Sequence, residues 1–364
     1  MTDSAPAAPP TGRLVRWRHA LSTINPQPDD TAAAQSGEPG RRARGEAVGQ
    51  LDPVSRWLVI TRAGVLPMTL TAGAIAGLLA ARHHGFAAGW FALSFIGIAL
   101  AHVSNNLVND LFDSDVGLDK ADYPRALYAP HPILSGMITR AGLVRAAIAV
   151  NAADVVILVV LVAARGATVL AFALAGLVLN IAYTAPPLRL KKRGLGELDV
   201  LIVWGPLMIA GTFYSAVGSI PWQVWLASVP YGLLCTAVLM AKHIDKLPWD
   251  RREGVHTLPV ILGEPRARTL TNVLNVGFYM AVVVSVVAGA LPWPALACFG
   301  ALPLLWRAAK ALRRPRPDAP PRGFPIWPLW FAAFVFTHTR RAGALLVGGL
   351  AVATIFGLGP GWLR

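Results

Sequence analysis

The sequence predicts an all-α, polytopic membrane protein, and three observations carry that prediction. The 364 residues are 55% hydrophobic and only 14% charged, too oily for a water-soluble chain of this size. Apolar runs of about 17 to 25 residues, the length that crosses roughly 30 Å of hydrocarbon as a helix, recur along nearly the whole chain after its amino-terminal part. The basic residues alternate, crowding into every second connection between those runs.

In chain order, residues 1–50 are rich in Ala, Pro, Gly and Arg without periodicity, which reads as a disordered cytoplasmic leader; they lack the apolar core of a secretory signal. An arginine-rich transit peptide is the competing reading, and the leader's Pro, Asp and Glu content argues against it. Residues 51–364 then form one transmembrane domain of about nine spans: 58–82, 88–112, 140–164, 167–184, 198–217, 223–244, 270–291, 293–312 and 341–359. The run "FPIWPLWFAAFVF" from Phe324 is too short to span and is expected to be re-entrant or interfacial. Cys235 and Cys298 fall inside spans, where a thiol acts as a small apolar packer.

The formal net charge of +14 does not indicate nucleic acid, because the basic residues sit between the spans rather than on a soluble domain. Lys120, Arg125 and Arg140 follow the second span, Arg189 to Arg193 the fourth, Lys242 to Arg268 the sixth, and Arg307 to Arg316 the eighth. The opposite loops hold little beyond Arg82 and Arg165. Basic loops stay on the cytoplasmic side, so a multi-pass protein of the cell membrane is expected, with its amino terminus and both acidic loops cytoplasmic and its carboxyl terminus outside.

Chemistry first shows in "NNLVNDLFDSDVGLD", residues 105–119, which follows an apolar run. Asn106, Asn109, Asp110 and Asp113 fall three and four residues apart and share one helical face. Carboxylates crowded on one face repel, so the pattern makes best sense around a hard cation, and an oxygen-only ligand set favours Mg²⁺. A second acidic element, "AKHIDKLPWDRREGVHTLPVILG", residues 241–263, follows the sixth span and carries Asp245 and Asp250. Both elements close the second helix of a four-span block, which suggests a duplicated bundle whose acidic ends face each other.

The first element resembles the first aspartate motif of the UbiA superfamily of intramembrane prenyltransferases, and "YTAPPLRLKKRGLGELDVLIVWGPLMIAGTFY", residues 183–214, resembles the segment after the fourth helix in the branch acting on 1,4-dihydroxy-2-naphthoate. The similarity runs over roughly residues 55–360, and the ending at Gly117 and Asp119 is similar to the naphthoate branch. The second element keeps Asp250, Arg251, Gly254, Thr257 and Leu258 of that branch's pattern. It departs at Lys242 and His243, where an asparagine is usual, and at Lys246, where the first acid is usual; Asp245 is displaced by one residue, which turns a helical side chain by about 100°.

The resemblance implies a UbiA-like bundle and Mg²⁺-dependent transfer from a polyprenyl diphosphate. The metal ions would sit on Asp110, Asp113 and Asp119 on one side and Asp245 and Asp250 on the other. Asp110, Asp113, Lys191 and Tyr183 are then the expected catalytic residues, and Asn106, Asn109, Arg189, Lys192, Arg193, Lys242 and Arg251 the substrate-binding ones. "RLKKR" reads alternatively as a topology anchor alone. Trp204, Phe213 and Tyr214 are candidates to face an allylic cation, or else packing residues. Asp154 is either a functional acid or the structural partner of Asn151, and His102 is expected to support the first motif by a hydrogen bond. The acceptor expected first is 1,4-dihydroxy-2-naphthoate, in menaquinone biosynthesis, and an anionic acceptor of another kind second. Transfer to a lipid or phosphosugar, or a non-enzymatic transporter, are the alternatives.

Overall fold

The computed structural model describes residues 52–115, 131–321, 324 and 326–363, without the side chains of residues 113–115 and 363. The expected leader and Asp119 lie outside the described residues, as do Lys120 and Arg125. Everything described is helix or connection, with no strand among the described residues.

The first expected span is broken in two. Helix α1 (Pro53–Ile60) starts where Asp52 accepts from the backbone N–H groups of Val54 and Ser55, both at 3.1 Å, with Pro53 needing no partner at the first turn. It ends at a turn in which Arg62 takes the left-handed region with φ 54°, and α2 (Leu66–Ala80) then runs for 15 residues. Helix α3 (Ala88–Asp115) carries the first motif in its last turns. Helix α4 (Arg140–Arg165) stops at Gly166, whose φ of 80° begins the turn into α5 (Ala167–Thr184).

A short 3₁₀ turn (Leu190–Arg193) leads to α6 (Gly196–Ile202). A π-type turn at Val203–Leu207, distorted at Gly205, joins α6 to α7 (Met208–Val217). Pro206 has no N–H to give the helix and its ring crowds the preceding turn, so the ladder widens there. The 31-residue α8 (Trp222–Arg252) carries the second motif. It is followed by α9 (Leu258–Leu262), α10 (Glu264–Val287), a 3₁₀ segment (Trp293–Ala301) with α11 (Leu302–Leu312), and α12 (Trp330–Ile355).

Among the described residues, seven helices are long and apolar enough to cross a membrane, fewer than the nine expected. Helix α2 is too short for that count, and α12 carries Arg340 and Arg341 in its middle. The expectation of a separate interfacial helix before a ninth span is corrected by α12: no glycine or proline interrupts 330–341, so one helix runs through both. It leads from the acidic end of α8, where Asp245 meets its amino terminus, to the opposite end, where Leu358 O accepts from Arg82.

The outer faces of α4 and α5 expose Val155, Val156, Val159, Leu174 and Val178, an apolar surface suited to acyl chains and not to water. The core lies where α2, α7, α8, α10 and α12 meet, around Ile75, Ile209, Phe213, Tyr231, Leu234, Phe278 and Leu346. Two glycines let α8 lie against the π-type turn. A Cβ on Gly232 would stand 2.8 Å from the carbonyl oxygen of Leu201, and one on Gly205 would stand 3.4 Å from the Cα of Gly232. That contact fixes the separation of two helices that both wall the site.

Candidate active site

A cavity of about 480 Å³ opens between these helices. Its polar end is built by the last turns of α3, the end of α5, the 3₁₀ turn and the end of α8, which contribute Asn105, Asn106, Asn109, Tyr183, Lys191, Lys242 and Lys246. The two motif-bearing helix ends therefore do meet across one space. Deeper in, the lining becomes apolar, with Ile98, Ile157, Leu158, Leu161, Phe172, Leu177, Leu207 and Met208. From Tyr183 to Val169, both on the wall, α5 descends 14 residues, about 21 Å, which suits a long hydrocarbon tail better than a compact ligand.

The α3 wall is amide-rich. Asn106 donates to Thr61 O at 3.1 Å, and Asn109 donates to Asn105 Oδ1 at 2.9 Å while accepting from the Thr184 hydroxyl at 2.8 Å. Asp110 lies behind this wall, fully buried, and Arg62 grips it through Nη2 and through Nε at 3.3 Å. His131 Nε2 stands 3.9 Å from the same carboxylate. The left-handed backbone of Arg62 is a conformation non-glycine residues avoid, and it brings the guanidinium between Asp110 and the cavity that Arg62 also lines. Asp113 falls in the last turn of α3, beyond the described side chains.

The α8 wall differs in kind. Asp245 is buried and accepts from the N–H groups of Phe331 at 3.0 Å and Ala332 at 2.8 Å, so it caps the amino terminus of α12. Asp250 is also buried, with Lys246 Nζ 3.8 Å away. Neither acid lines the cavity; Lys242, His243 and Lys246 do. The one-residue displacement of Asp245 is the physical reason, because it turns the carboxylate toward α12. His243 is held by its Nδ1 at 2.7 Å from Glu197 Oε1.

Of the basic run, Lys191 alone lines the cavity; Arg189 and Arg193 are exposed, Arg193 donates to Pro187 O at 3.0 Å, and Lys192 is set off the wall. Arg251 is exposed as well. Of the three aromatic candidates only Trp204 reaches the cavity. Phe213 is core, and Tyr214 donates to Arg165 O at 3.0 Å. Asn151 does not pair with Asp154: its amide donates to Ala147 O at 2.8 Å, and Asp154 lines the cavity. His102 bonds Thr69 through Nδ1 at 2.7 Å and meets the Trp204 ring edge-on at 5.4 Å, so its hydrogen bond goes to α2 and not to the first motif as expected.

Sequence reasoning passed over Arg62, Asn105, Glu197 and Asp199. The available signals were a lone arginine inside an apolar run, and two acids opening a span in "GELDV". Asp199 is buried on the cavity wall, and its Oδ1 has no hydrogen-bond partner. Such an atom costs about 1–3 kcal/mol when nothing pairs with it.

No three His, Cys, Asp or Glu side chains converge among the described residues. The side-chain oxygens at the α3 end, from Asn105, Asn109 and Asp110, are hard donors of the kind that suits Mg²⁺, and they are held here by Asn109, Thr184 and Arg62, side-chain partners that a cation could displace. At the α8 wall the fit fails, since Asp245 is spent on backbone and ammonium groups face the space.

A family model described as the UbiA prenyltransferase family matches residues 70–335. The chain belongs to that family. It is accordingly a multi-pass membrane prenyltransferase. Among its relatives is the 2-carboxy-1,4-naphthoquinone phytyltransferase of Synechocystis, 30% identical over 244 residues, covering 66% of this chain and 75% of the relative. The 1,4-dihydroxy-2-naphthoate octaprenyltransferase of Mycobacterium tuberculosis is 30% identical over 269 residues, 72% of this chain and 87% of that one. In fold, the UbiA member resembles a digeranylgeranylglyceryl phosphate synthase with a TM-score of 0.56 at 16% identity, over 83% of this chain and 99% of that chain. It also resembles a UbiA homologue from Archaeoglobus fulgidus solved with GPP and Mg²⁺, with a TM-score of 0.55 at 15% identity, over 81% and 99% of the two chains.

Proposed function

We propose that this prenyltransferase moves a polyprenyl group from its diphosphate to an aromatic acceptor, with 1,4-dihydroxy-2-naphthoate as the first choice. The observation that carries the reading is the cavity itself, polar and cationic at the meeting of two helix ends and mainly apolar along the roughly 21 Å that α5 descends from there. The names of the Synechocystis and Mycobacterium relatives support the acceptor, and the bound GPP and Mg²⁺ of the Archaeoglobus homologue support the donor and the metal.

The diphosphate lies at the polar end, where Lys191 neutralises its oxygens, and Lys242 and Lys246 on α8 meet the negative charge of the acceptor. Asp110, Asp113, Asn109 and Asp119 are the residues that would hold Mg²⁺, which supplies further charge neutralisation for the leaving group. Asp245 and Asp250 are not assigned to metal, and the lysines take over that wall. As the carbon–oxygen bond breaks, its electron pair leaves with the diphosphate and an allylic cation remains, faced by Trp204. The acceptor ring supplies the electrons of the new carbon–carbon bond and loses its carboxylate as CO₂. The apolar wall keeps water from the cation. The cell membrane is the proposed location, with the site at its cytoplasmic face.

Mass spectrometry of the purified chain, incubated with prenyl diphosphates of several lengths and a panel of acceptors, tests this. A prenylated, decarboxylated naphthoate formed with Mg²⁺ and lost with EDTA is the expected product. Prenyl transfer to a glycerol phosphate or phosphosugar alone overturns the acceptor.

A further inference from the structure

Asp199 has no task in the reaction as described. It opens α6 on the cavity wall, 6% exposed, and its Oδ1 is closed off from solvent without a hydrogen-bond partner. The Trp204 indole nitrogen, further along the same wall, is likewise buried and unpartnered. The ring is not free to turn away, because His102, tied to Thr69, meets it edge-on. Two residues that line one stretch of the cavity thus each carry a buried polar atom, one an acceptor and one a donor, that nothing in the described chain pairs.

Their height is set by the backbone. A Cβ on Gly196 would stand 3.2 Å from the Cα of Lys191 and 3.1 Å from the Tyr183 ring, so α6 begins beside the group that receives the diphosphate. Asp199 lies three residues on, about 5 Å below, and Trp204 about 7 Å below that. With the diphosphate beside Lys191, the first carbons of the donor would reach this level. Lys242 and Lys246 line the cavity from α8, which packs alongside α6: His243 Nδ1 stands 2.7 Å from Glu197 Oε1, and Gly232 lies against Gly205. An anion is repelled by Asp199 and drawn to Lys242 and Lys246; an O–H group is what an unpartnered carboxyl oxygen requires.

We propose that Asp199, together with the Trp204 N–H, forms the subsite that receives the hydroxyl end of a phenolic acceptor, while its carboxylate points to Lys242 and Lys246. This rests on the aromatic acceptor proposed above and assigns that acceptor an orientation. Thr212, whose hydroxyl is also buried and unpartnered, lies about 12 Å beyond Trp204 and belongs to the tail channel instead.

The test is equilibrium binding to the full chain in lipid nanodiscs, wild type against Asp199→Asn, with each phenol paired with its methyl ether. The pairs are 1,4-dihydroxy-2-naphthoate with its dimethoxy analogue, and 4-hydroxybenzoate with 4-methoxybenzoate. The wild type is expected to prefer a hydroxylated ligand at least tenfold, and the variant less than threefold. An unchanged donor affinity in the variant shows that the site is intact. A hydroxyl preference that survives Asp199→Asn overturns the subsite, as does a wild type that binds phenol and ether alike or binds neither pair. If only the benzoate pair shows the preference and its loss, the subsite stands and the naphthoate reading fails.

Discussion

The ends of α3 and α8 carry acidic stretches of similar appearance and meet at one cavity, yet they present opposite chemistry to it. The α3 end offers amide oxygens with Asp110 behind them, and Arg62 as the only guanidinium on the cavity wall among the described residues. The α8 end buries both of its acids and offers Lys242, His243 and Lys246. What separates them is a single residue of helical register: Asp245 is turned onto the amino terminus of α12, and a lysine stands where an acid would have faced the cavity. An acidic stretch is therefore evidence of a metal site only when its carboxylates are left unspent by the backbone.

The comparison predicts its largest effect at α3. Asp110→Asn should lower turnover by about 10²- to 10³-fold at saturating Mg²⁺, the scale of a charge that acts on the developing diphosphate. Near-normal turnover in a steady-state assay would take the metal away from α3. At α8 the expected loss is smaller and of a different kind. Neutralising Lys242 and Lys246 together should weaken the acceptor by about 1–3 kcal/mol, read as a raised acceptor KM with the donor saturating, and an unchanged value would leave those lysines to the diphosphate.

Within the basic run, Lys191→Ala should raise the donor KM about tenfold, roughly 1.4 kcal/mol, whereas Arg193→Ala on the exposed face should change it by less than twofold. Equal effects would return both residues to a topological role. The smallest effect sharpens the contrast most. Asp245→Ala should cost about 1 kcal/mol of stability through the lost cap, seen as a lower Tm, and should leave the Mg²⁺ concentration for half-maximal activity where it was. A shifted Mg²⁺ requirement would make the two ends alike after all.

The helical class and the membrane were legible because length and hydropathy report directly on burial in lipid, and the spans of 88–112 and 293–312 coincide with helices over the same residues. The break at Arg62 was not, since an arginine in an apolar run signals a cost without saying which carboxylate repays it. Nor was the continuity of α12, which depends on a cap supplied by a residue 85 positions earlier than Trp330, Asp245. At the site, Asn109, Tyr183 and Lys191 could be named because their types and places follow the family pattern, and Lys242 because it stands where that pattern usually has an asparagine. Asp199 could not, because an acid opening a span looks the same whether its oxygen is satisfied or left for a ligand.

The contact between Gly205 and Gly232 acts as a gauge. Backbone touches backbone there, so α8, which carries the lysines, and the stretch that carries Asp199 and Trp204 sit at a separation that no side chain can adjust. A methyl group at either position would push α8 away from that stretch, and so shift Lys242 and Lys246 relative to Asp199 without altering the chemistry of any of the three.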